Sequence, residues 1–207
     1  MAHARIPGIV QLFFPGMICR LPEKGKKTAY LTFDDGPIPE ATPMVLDILK
    51  EYNVKATFFC VGNNVQKYPQ IYKRILQEGH AVGNHTYDHM NGWENKQKDY
   101  EANIEKCAEL VSSSLFRPPY GRIKPGQYKK LAKKYCIIMW DVLSCDYDRK
   151  LSAADCFKIV KKNTRTGSIM VFHDSIKAKD KIPLLLPKTL EFLKTEGYEL
   201  KPFSVPI

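Results

Sequence analysis

Residues 28–37 read TAYLTFDDGP, an apolar stretch that ends in two aspartates and a Gly-Pro turn. Its first six residues are typical of a buried β-strand, and Gly36 and Pro37 turn the chain away from it. Neighbouring residues in an extended chain point to opposite sides, so we expect Asp34 and Asp35 to face different surroundings and to take different roles. Taken alone, the pair is better explained as a charged turn, with one aspartate capping the next helix, because acidic turn residues are common.

Further strand-like runs follow this stretch and alternate with amphipathic segments. The predicted strands are residues 28–33, 56–61, 80–84, 115–116, 136–142, 168–172 and 198–205. The predicted helices are residues 43–52, 69–78, 97–112, 126–135, 152–162 and 184–195. We expect Thr42 to cap the first helix ahead of Pro43, and Gly79 and Gly197 to end two others.

This β/α alternation predicts parallel strands joined by right-handed crossovers, in an open doubly wound sheet or a barrel. Seven strands in about 180 residues are too few for a regular eight-fold barrel, which needs about 250. We therefore predict an α/β fold, a distorted or incomplete (β/α) barrel of about seven parallel strands. Residues 28–207 would form this domain, and residues 1–27 a segment packed on it.

The composition is that of a globular chain with a basic surface. The 207 residues carry 32 Lys and Arg against 22 Asp and Glu, a formal charge of +10, and 44% are apolar. No apolar run reaches the roughly 18 residues of a membrane span. The lysines are spread out, which favours a solvated surface over a nucleic-acid site. The six cysteines form no Cys-x-x-Cys pair, so we expect small buried thiols.

The N-terminal apolar stretch, residues 6–21, is a weak signal-peptide candidate. It is interrupted by Pro7, Gly8, Pro15 and Gly16, and it lacks a cleavage site of the Ala-x-Ala type. We expect it to pack on the domain, and the sequence by itself then indicates a cytoplasmic protein.

Unusual polar residues follow the predicted strands. In a β/α barrel these strand ends meet on one face, where active sites form. The residues in question are Asp34 and Asp35, His85 and His89, Arg117, Asp141 and Asp146, and His173 and Asp174.

His85 and His89 lie four residues apart in Asn-His-Thr-Tyr-Asp-His, residues 84–89. Two imidazoles at this spacing can bind one ion, and a carboxylate would complete a three-ligand site with room for water. Such an open position is typical of catalytic zinc. We expect His80, inside a predicted strand, to be a packed and hydrogen-bonded histidine instead.

Four motifs together resemble the NodB-homology polysaccharide deacetylases, carbohydrate esterase family four. They are Thr-Phe-Asp-Asp-Gly-Pro at 32–37, His-Thr-Tyr-Asp-His at 85–89, Arg-Pro-Pro-Tyr-Gly at 117–121 and Phe-His at 172–173. They occur in the family's order over roughly residues 28–205. The resemblance implies a distorted barrel that removes N-acetyl groups from amino sugars of a polysaccharide or oligosaccharide, of the chitin or peptidoglycan type. Many members are exported to the cell envelope.

The resemblance also implies a divalent metal ion, usually Zn²⁺, with Asp35, His85 and His89 as ligands. Zinc lowers the pKa of bound water from 15.7 toward about 7, so a nucleophile is available at neutral pH. The expected partner is an N-acetylated carbohydrate substrate. We expect no nucleic-acid partner and no membrane span.

The remaining motif residues match the catalytic groups of the family. Asp34 matches the general base and Arg117 the arginine that holds it. His173 matches the general acid and Asp146 the residue that tunes it, although Asp141 lies closer to the strand end and is an alternative. Tyr120 matches the residue whose backbone N–H stabilises the oxyanion.

Two positions depart from the family pattern. Tyr147 stands where the family has tryptophan after Asp146, and Val171 stands where it has leucine two residues before the histidine. Both family residues line the acyl pocket, so the acyl preference of this chain is open.

Two other functions remain possible on the sequence. One is a metal-dependent amidase or esterase for a smaller acylated molecule, since the same groups hydrolyse any accessible acyl bond. The other is a catalytically silent carbohydrate-binding protein. The presence of both Asp34 and His173, which binding does not require, argues against the silent protein.

Overall fold

The computed structural model describes residues 14–203 of the chain. The β-strands of that part are β1 Thr28–Asp34, β2 Thr57–Cys60, β3 Ala81–Asn84, β4 Leu115–Phe116, β5 Cys136–Ile137, β6 Val142–Leu143, β7 Ser168–His173 and β8 Glu199–Leu200. Its helices are α1 Thr42–Glu51, α2 Gly62–Lys67, α3 Pro69–Gln77, α4 Gln97–Ala108, α5 Pro125–Leu131, α6 Ala153–Asn163 and α7 Ile182–Thr195. A short 3₁₀ turn, Pro119–Gly121, follows β4.

The strands form one parallel sheet in the order β5-β4-β3-β2-β1-β7-β6, and β8 pairs with the first residues of β1. The sheet curls into an incomplete (β/α) barrel surrounded by helices. The predicted fold class is therefore confirmed. Parallel pairing brings the carboxyl ends of the strands to one face.

Strand β1 at the centre of the sheet divides its side chains between two environments. Leu31 and Phe33 pack in the large cluster between the sheet and the helices. Tyr30 belongs to a smaller cluster with Phe59 inside the curled sheet. Side chains alternate along a strand, so Asp34, four residues after Tyr30, lies on the same concave side of the sheet.

The prediction of a single strand over residues 136–142 is wrong. It is two strands, β5 and β6, that lie at opposite edges of the sheet. Residues 138–141 cross the open side of the sheet. Four extended residues span at most about 14 Å, so the opening is narrow. Backbone hydrogen bonds attach the crossing to both edges: Ile138 N donates to Phe116 O, and Asp141 N donates to Ile169 O.

Part of the N-terminal segment lies along this opening. Ile18 forms a parallel bridge with Ile138, and Arg20 an antiparallel bridge with Ser168. Leu21 N also donates to Gly167 O at 2.8 Å. Residues 1–13, and with them the first half of the signal-peptide candidate, lie outside the described residues.

Two local predictions are corrected. The N-cap of α1 is Ala41 and not Thr42, because Thr42 lies in the first turn and its hydroxyl donates to Asp174. Helix α2 was not predicted, since a six-residue helix that begins at glycine carries little apolar periodicity. Gly79 and Gly197 do follow the ends of α3 and α7 with φ of 78° and 74°, the left-handed conformation that favours glycine.

Of the six cysteines, all within the described part, none forms a disulfide and five are buried. This agrees with their interpretation as small apolar core residues. Across residues 14–203, the helices are too short or too polar to cross a membrane.

Candidate active site

One open cavity of about 740 Å³ lies at the carboxyl ends of the strands, and five of the polar residues singled out in the sequence line it: Asp34, Asp35, His85, His89 and His173. Strand register explains part of this convergence, since Asp34 at the end of β1 pairs with His173 at the end of β7. Asn84, which precedes His85, pairs in the same way with Phe116, which precedes Arg117. Residues far apart in sequence thus become neighbours.

Asp35, His85 and His89 form the candidate metal centre. Their ligand atoms lie within 4.8 Å of one another. The Asp35 Oδ1 atom lies 3.1 Å from His89 Nε2 and 3.8 Å from His85 Nε2. Two imidazole nitrogens and one carboxylate oxygen, open to a cavity on one side, suit a divalent transition-metal ion with room for water.

The contacts behind these side chains fix the form in which they face the site. His85 Nδ1 lies 2.7 Å from the carbonyl oxygen of Arg117. Because a carbonyl can only accept, Nδ1 carries the proton and Nε2 presents its lone pair to Asp35. His89 Nδ1 lies 3.1 Å from the hydroxyl of Tyr120. Both imidazoles are therefore held from the side opposite the candidate metal.

The electrostatics of the cluster agree with a metal-binding role. Burial lowers the pKa of His85 to about 4, so this imidazole is neutral at pH 7. Burial alone would raise the pKa of Asp35, but a hydrogen bond from His89 and the nearby charge of His173 hold it well below its usual range. A neutral imidazole and an ionised carboxylate are the forms that bind metal ions.

The backbone at the cluster adopts conformations that are rare for residues with a side chain. The φ angles of Asp35, Thr86 and His89 are 85°, 62° and 54°, in the left-handed region. Local hydrogen bonds hold this loop: Thr86 N donates to Asn84 Oδ1 at 2.9 Å, and Met90 N donates to Thr86 Oγ1 at 2.8 Å. Such strain persists only where the surroundings enforce it, and it is common at functional sites.

Arg117 binds Asp34 beneath the cavity and is fully buried. Its guanidinium donates four hydrogen bonds: to Asp34 Oδ1 and Thr32 Oγ1, both at 2.7 Å, and to the carbonyl oxygens of Ile138 at 3.1 Å and Met139 at 3.0 Å. Burial lowers the pKa of Arg117, while the Asp34 carboxylate opposes that shift. The arginine therefore holds the carboxylate and also fixes the crossing at residues 138–139.

His173 and Asp146 form a second pair on the cavity wall. Asp146 accepts from His173 twice, from Nδ1 at 2.6 Å and from the backbone N–H at 2.8 Å. Burial opposes a charge on His173, but the Asp146 carboxylate and its hydrogen bond raise the pKa of the imidazole to about 9. His173 therefore carries a proton at neutral pH.

The alternative partner, Asp141, lies in another place. Its carboxylate accepts from Arg165 Nε at 2.9 Å and from Ile169 N at 3.2 Å. It therefore joins the start of β7 to the chain crossing. Asp146, and not Asp141, contacts His173.

Tyr120 occupies the rim of the cavity in the 3₁₀ turn, with φ of 59°. Its ring is 61% exposed and packs edge-on against His89 at 4.6 Å between ring centroids. The two departures from the family pattern lie deeper. Val171 packs with Leu143 and Tyr147 in one small cluster, and all three line the cavity.

Asp174 is a site residue to which the sequence assigned no role. Its carboxylate accepts from Gly36 N at 3.1 Å and from the Thr42 hydroxyl at 2.6 Å, so it holds the turn after the two aspartates. A Cβ on Gly36 would lie 1.9 Å from Asp174 Oδ2, which explains the glycine. Burial, together with the charge of Asp35, raises the pKa of Asp174 to about 8. The one sequence signal was its position directly after His173.

Comparison with known proteins identifies the class of enzyme to which this site belongs. The family model described as polysaccharide deacetylase matches residues 22–137. The chain belongs to this family, the NodB-homology group of carbohydrate esterase family four, whose enzymes are metal-dependent. The match includes Asp34, Asp35, both candidate histidine ligands and Arg117, and it ends before His173.

Particular relatives extend the match beyond that model. A peptidoglycan-N-acetylglucosamine deacetylase of Bacillus cereus is 39% identical over 83% of this chain. The match covers 65% of that relative, so the chain spans less than two thirds of its length. A chitooligosaccharide deacetylase of Azorhizobium caulinodans is 34% identical over 73% of this chain and 75% of its own length.

A solved structure matches over almost the whole chain. The crystal structure of a peptidoglycan N-acetylglucosamine deacetylase in complex with a hydroxamate-type benzamide superposes with a TM-score of 0.85, at 33% sequence identity. The superposition covers 96% of this chain and 95% of that one. The fold is therefore shared with a deacetylase of known structure.

Proposed function

We propose that this protein is a metal-dependent hydrolase that removes N-acetyl groups from the amino sugars of a glycan. One observation carries the proposal: a three-ligand metal centre, a carboxylate held by arginine and a protonated histidine held by a carboxylate all line the same cavity. Metal binding alone would not require the last two pairs. Amide hydrolysis requires both, because one proton must leave the water and another must reach the amine.

Zinc is the metal that we propose, with Asp35, His85 and His89 as its protein ligands. Catalytic zinc sites commonly have two histidines and one carboxylate, with a further position left for water. When bound, the ion lowers the pKa of water and polarises a carbonyl oxygen. The contacts behind His85 and His89 support this assignment, since each ring is oriented through its Nδ1 atom, by the Arg117 carbonyl and the Tyr120 hydroxyl.

Asp34 is the proposed general base. A carboxylate at the cavity floor can take a proton from the attacking water, provided that it is ionised and held in position. Arg117 holds the carboxylate in position through its hydrogen bond of 2.7 Å to Asp34 Oδ1. An arginine remains charged throughout and cannot donate its own proton to the reaction.

His173 is the proposed general acid. An amine leaves the tetrahedral intermediate readily only after it is protonated, and His173 carries a proton at neutral pH because Asp146 raises its pKa to about 9. The backbone N–H of Tyr120 would stabilise the negative charge that develops on the carbonyl oxygen of the acetamido group. The products are acetate and a free amino sugar.

The substrate that we propose is a glycan containing N-acetylglucosamine, of the peptidoglycan or chitin type. The names of the relatives support it, since both are deacetylases of such glycans. The shape of the site supports it as well, because the cavity is an open cleft large enough for more than the acetamido group.

Acetate release tests this function. Purified protein loaded with Zn²⁺ should release acetate from N-acetylglucosamine oligomers or from peptidoglycan, and a chelator should stop the release. His89→Ala should reduce bound zinc, measured by elemental analysis of dialysed protein. Undiminished stoichiometric zinc in His89→Ala would contradict the ligand assignment, and wild-type protein that binds oligomers without releasing acetate would identify a silent binding protein.

A further inference from the structure

We propose that Trp93 and Arg122 form a platform beside the active site that binds the sugar next to the one being deacetylated. This inference rests on the function proposed above. Trp93 is 58% exposed, although it belongs to neither the metal centre nor the acid and base pairs. Large exposed aromatic side chains near a cleft often mark a binding surface.

The tryptophan is held in place and is not a loosely attached surface residue. Its indole Nε1 donates to the carbonyl oxygen of Ile123 at 3.3 Å, and its backbone N–H donates to Asn91 Oδ1 at 3.0 Å. Asn95 Nδ2 donates to Asn91 O at 2.8 Å across the same turn. The ring is therefore fixed in an exposed position, which lowers the entropy that a ligand must overcome on binding.

Close backbone packing beside Trp93 adds to this rigidity. A Cβ on Gly92 would lie 2.5 Å from the carbonyl oxygen of Arg122, so only glycine allows the two segments to approach this closely. The buried amide of Gln127 donates to Gly92 O at 2.9 Å and accepts from Lys124 N at 2.8 Å. The loop that carries the metal ligand His89 is thus attached to the segment that follows Tyr120.

The platform is continuous with the catalytic cavity. A smaller apolar cleft of about 190 Å³ lies beside Trp93 and shares Tyr120, Gly121 and Trp140 with the walls of the main cavity. Arg122 lines the main cavity, and its guanidinium lies 5.2 Å from the centre of the Trp93 ring. A chain that places one sugar at the metal centre and continues over Tyr120 therefore meets Trp93 next.

The chemistry of this surface fits a pyranose ring. One face of such a ring presents C–H groups, which pack on an aromatic π face, while hydroxyl and carbonyl oxygens around its edge accept hydrogen bonds. Trp93 supplies the flat apolar face and Arg122 the donors. Arg122 Nη1 also lies 3.6 Å from the Glu94 carboxylate, so hydrogen-bond donors and acceptors both border the ring. Sugar hydroxyl groups can donate to the one and accept from the other, which an apolar peptide side chain cannot do, so the observations favour a sugar.

The experiment compares substrate lengths in the zinc-loaded protein. Acetate release is measured on N-acetylglucosamine and on its tetramer, for wild type, Trp93→Ala and Trp93→Phe. Trp93→Ala should raise the KM for the tetramer by about tenfold, which corresponds to a loss of roughly 1.4 kcal/mol of binding free energy. The kcat should change little, because the contact is remote from the reacting atoms. Activity on the monomer should stay within about twofold, and Trp93→Phe should recover most of the loss.

Leu184→Ala is the matched control, because Leu184 is 62% exposed on α7 and lines neither cavity. It should leave both substrates unaffected. Equal losses on monomer and tetramer with Trp93→Ala, or no loss on either, would overturn the platform. If wild-type protein releases no acetate at all, the proposed function fails; calorimetric binding of the tetramer then still decides the platform, and equal affinity of wild type and Trp93→Ala would refute it.

Discussion

Two ion pairs at the cavity use the same type of contact for opposite purposes. In Asp34–Arg117 and in His173–Asp146, a carboxylate accepts a hydrogen bond from a cationic side chain, at 2.7 Å and 2.6 Å. Arg117 and Asp146 are fully buried, whereas Asp34 and His173 reach the cavity. In the first pair the anion lines the cavity, and in the second pair the cation does.

The difference shows how position decides which partner reacts. Arginine cannot lose its proton near neutral pH, so in the first pair only the carboxylate can exchange one. In the second pair the imidazole titrates in the accessible range, and its buried partner sets that range. In the proposed mechanism one pair therefore supplies a base and the other an acid, although each joins one carboxylate to one cationic side chain.

Replacing the reactive member of the first pair should have the largest effect. Asp34→Asn retains the shape of the side chain but cannot accept the proton of water, so turnover should fall by at least about 100-fold while zinc remains bound. Asp35→Asn should weaken zinc binding instead. Acetate release and metal content of both variants check the assignment, and the reverse pattern would exchange the roles of the two aspartates.

Replacing the buried member of the first pair should act mainly on stability. Arg117→Met leaves the Asp34 carboxylate without its cation and removes four hydrogen bonds, so the free energy of unfolding should fall by about 3–5 kcal/mol. Arg117→Lys keeps the charge but not the planar fork, so its loss should be smaller. Urea unfolding of the metal-free proteins measures both; equal stability of Arg117→Met and wild type would mean that the pair does not stabilise the fold.

The second pair predicts a change in pH dependence. Asp146 raises the pKa of His173, to about 9 in the metal-free protein, so activity that needs the protonated imidazole is lost at alkaline pH, as the pH rises through the pKa of this histidine. Asp146→Asn removes the carboxylate, and the alkaline limb of kcat/KM should move to lower pH, with turnover near neutrality reduced by about tenfold. A bound cation lowers the pKa of His173 in both proteins, so the test is the difference between them. Superimposable profiles would remove Asp146 from this role.

The same pair should change stability in the metal-free protein. The folded pKa of His173 lies above its ordinary value of about 6.5, so its contribution to folding is complete below about pH 6.5 and is lost as the pH rises through about 9. Wild type should therefore lose stability across this window, and Asp146→Asn should lose less. Urea unfolding at several pH values measures the difference.

The sequence was informative where a residue's role depends on its position along a strand. Strand β1 alternates apolar residues that face helices with residues that face the cavity, so the placement of Asp34 could be predicted. Asp35 lies beyond the strand with φ of 85°, and both carboxylates line the same cavity, so the expectation that they face different surroundings is wrong. The repeated β/α pattern likewise predicted the incomplete barrel. Both features depend on local periodicity, which a single sequence carries.

Other features depend on which segments meet, and local periodicity does not contain that information. The run 136–142 has the composition of one strand, yet it crosses between two edges of the sheet because the barrel is open there. Asp141 and Asp146 are both plausible partners of His173 by spacing, and only distance separates them. Asp174 and Trp93 resemble an ordinary turn residue and a surface aromatic until their contacts are known.

The smallest expected effect concerns the wall of the acyl pocket next to the second pair. Tyr147 packs edge-on against His173 at 5.0 Å between ring centroids, and Val171 lies in the same cluster. Tyrosine and valine are smaller than the tryptophan and leucine of the family pattern, so we expect a wider pocket.

A difference of one methylene changes the discrimination between two acyl groups by about 1–3 kcal/mol at most. Wild type should therefore hydrolyse N-propionyl and N-acetyl glucosamine oligomers at comparable rates, and Val171→Leu should restore a preference for acetyl. Leu143 borders the same cavity and can close the space by repacking. Matched rates on the two substrates distinguish these outcomes, because strong acetyl selectivity in the wild-type protein would mean that repacking has already narrowed the pocket.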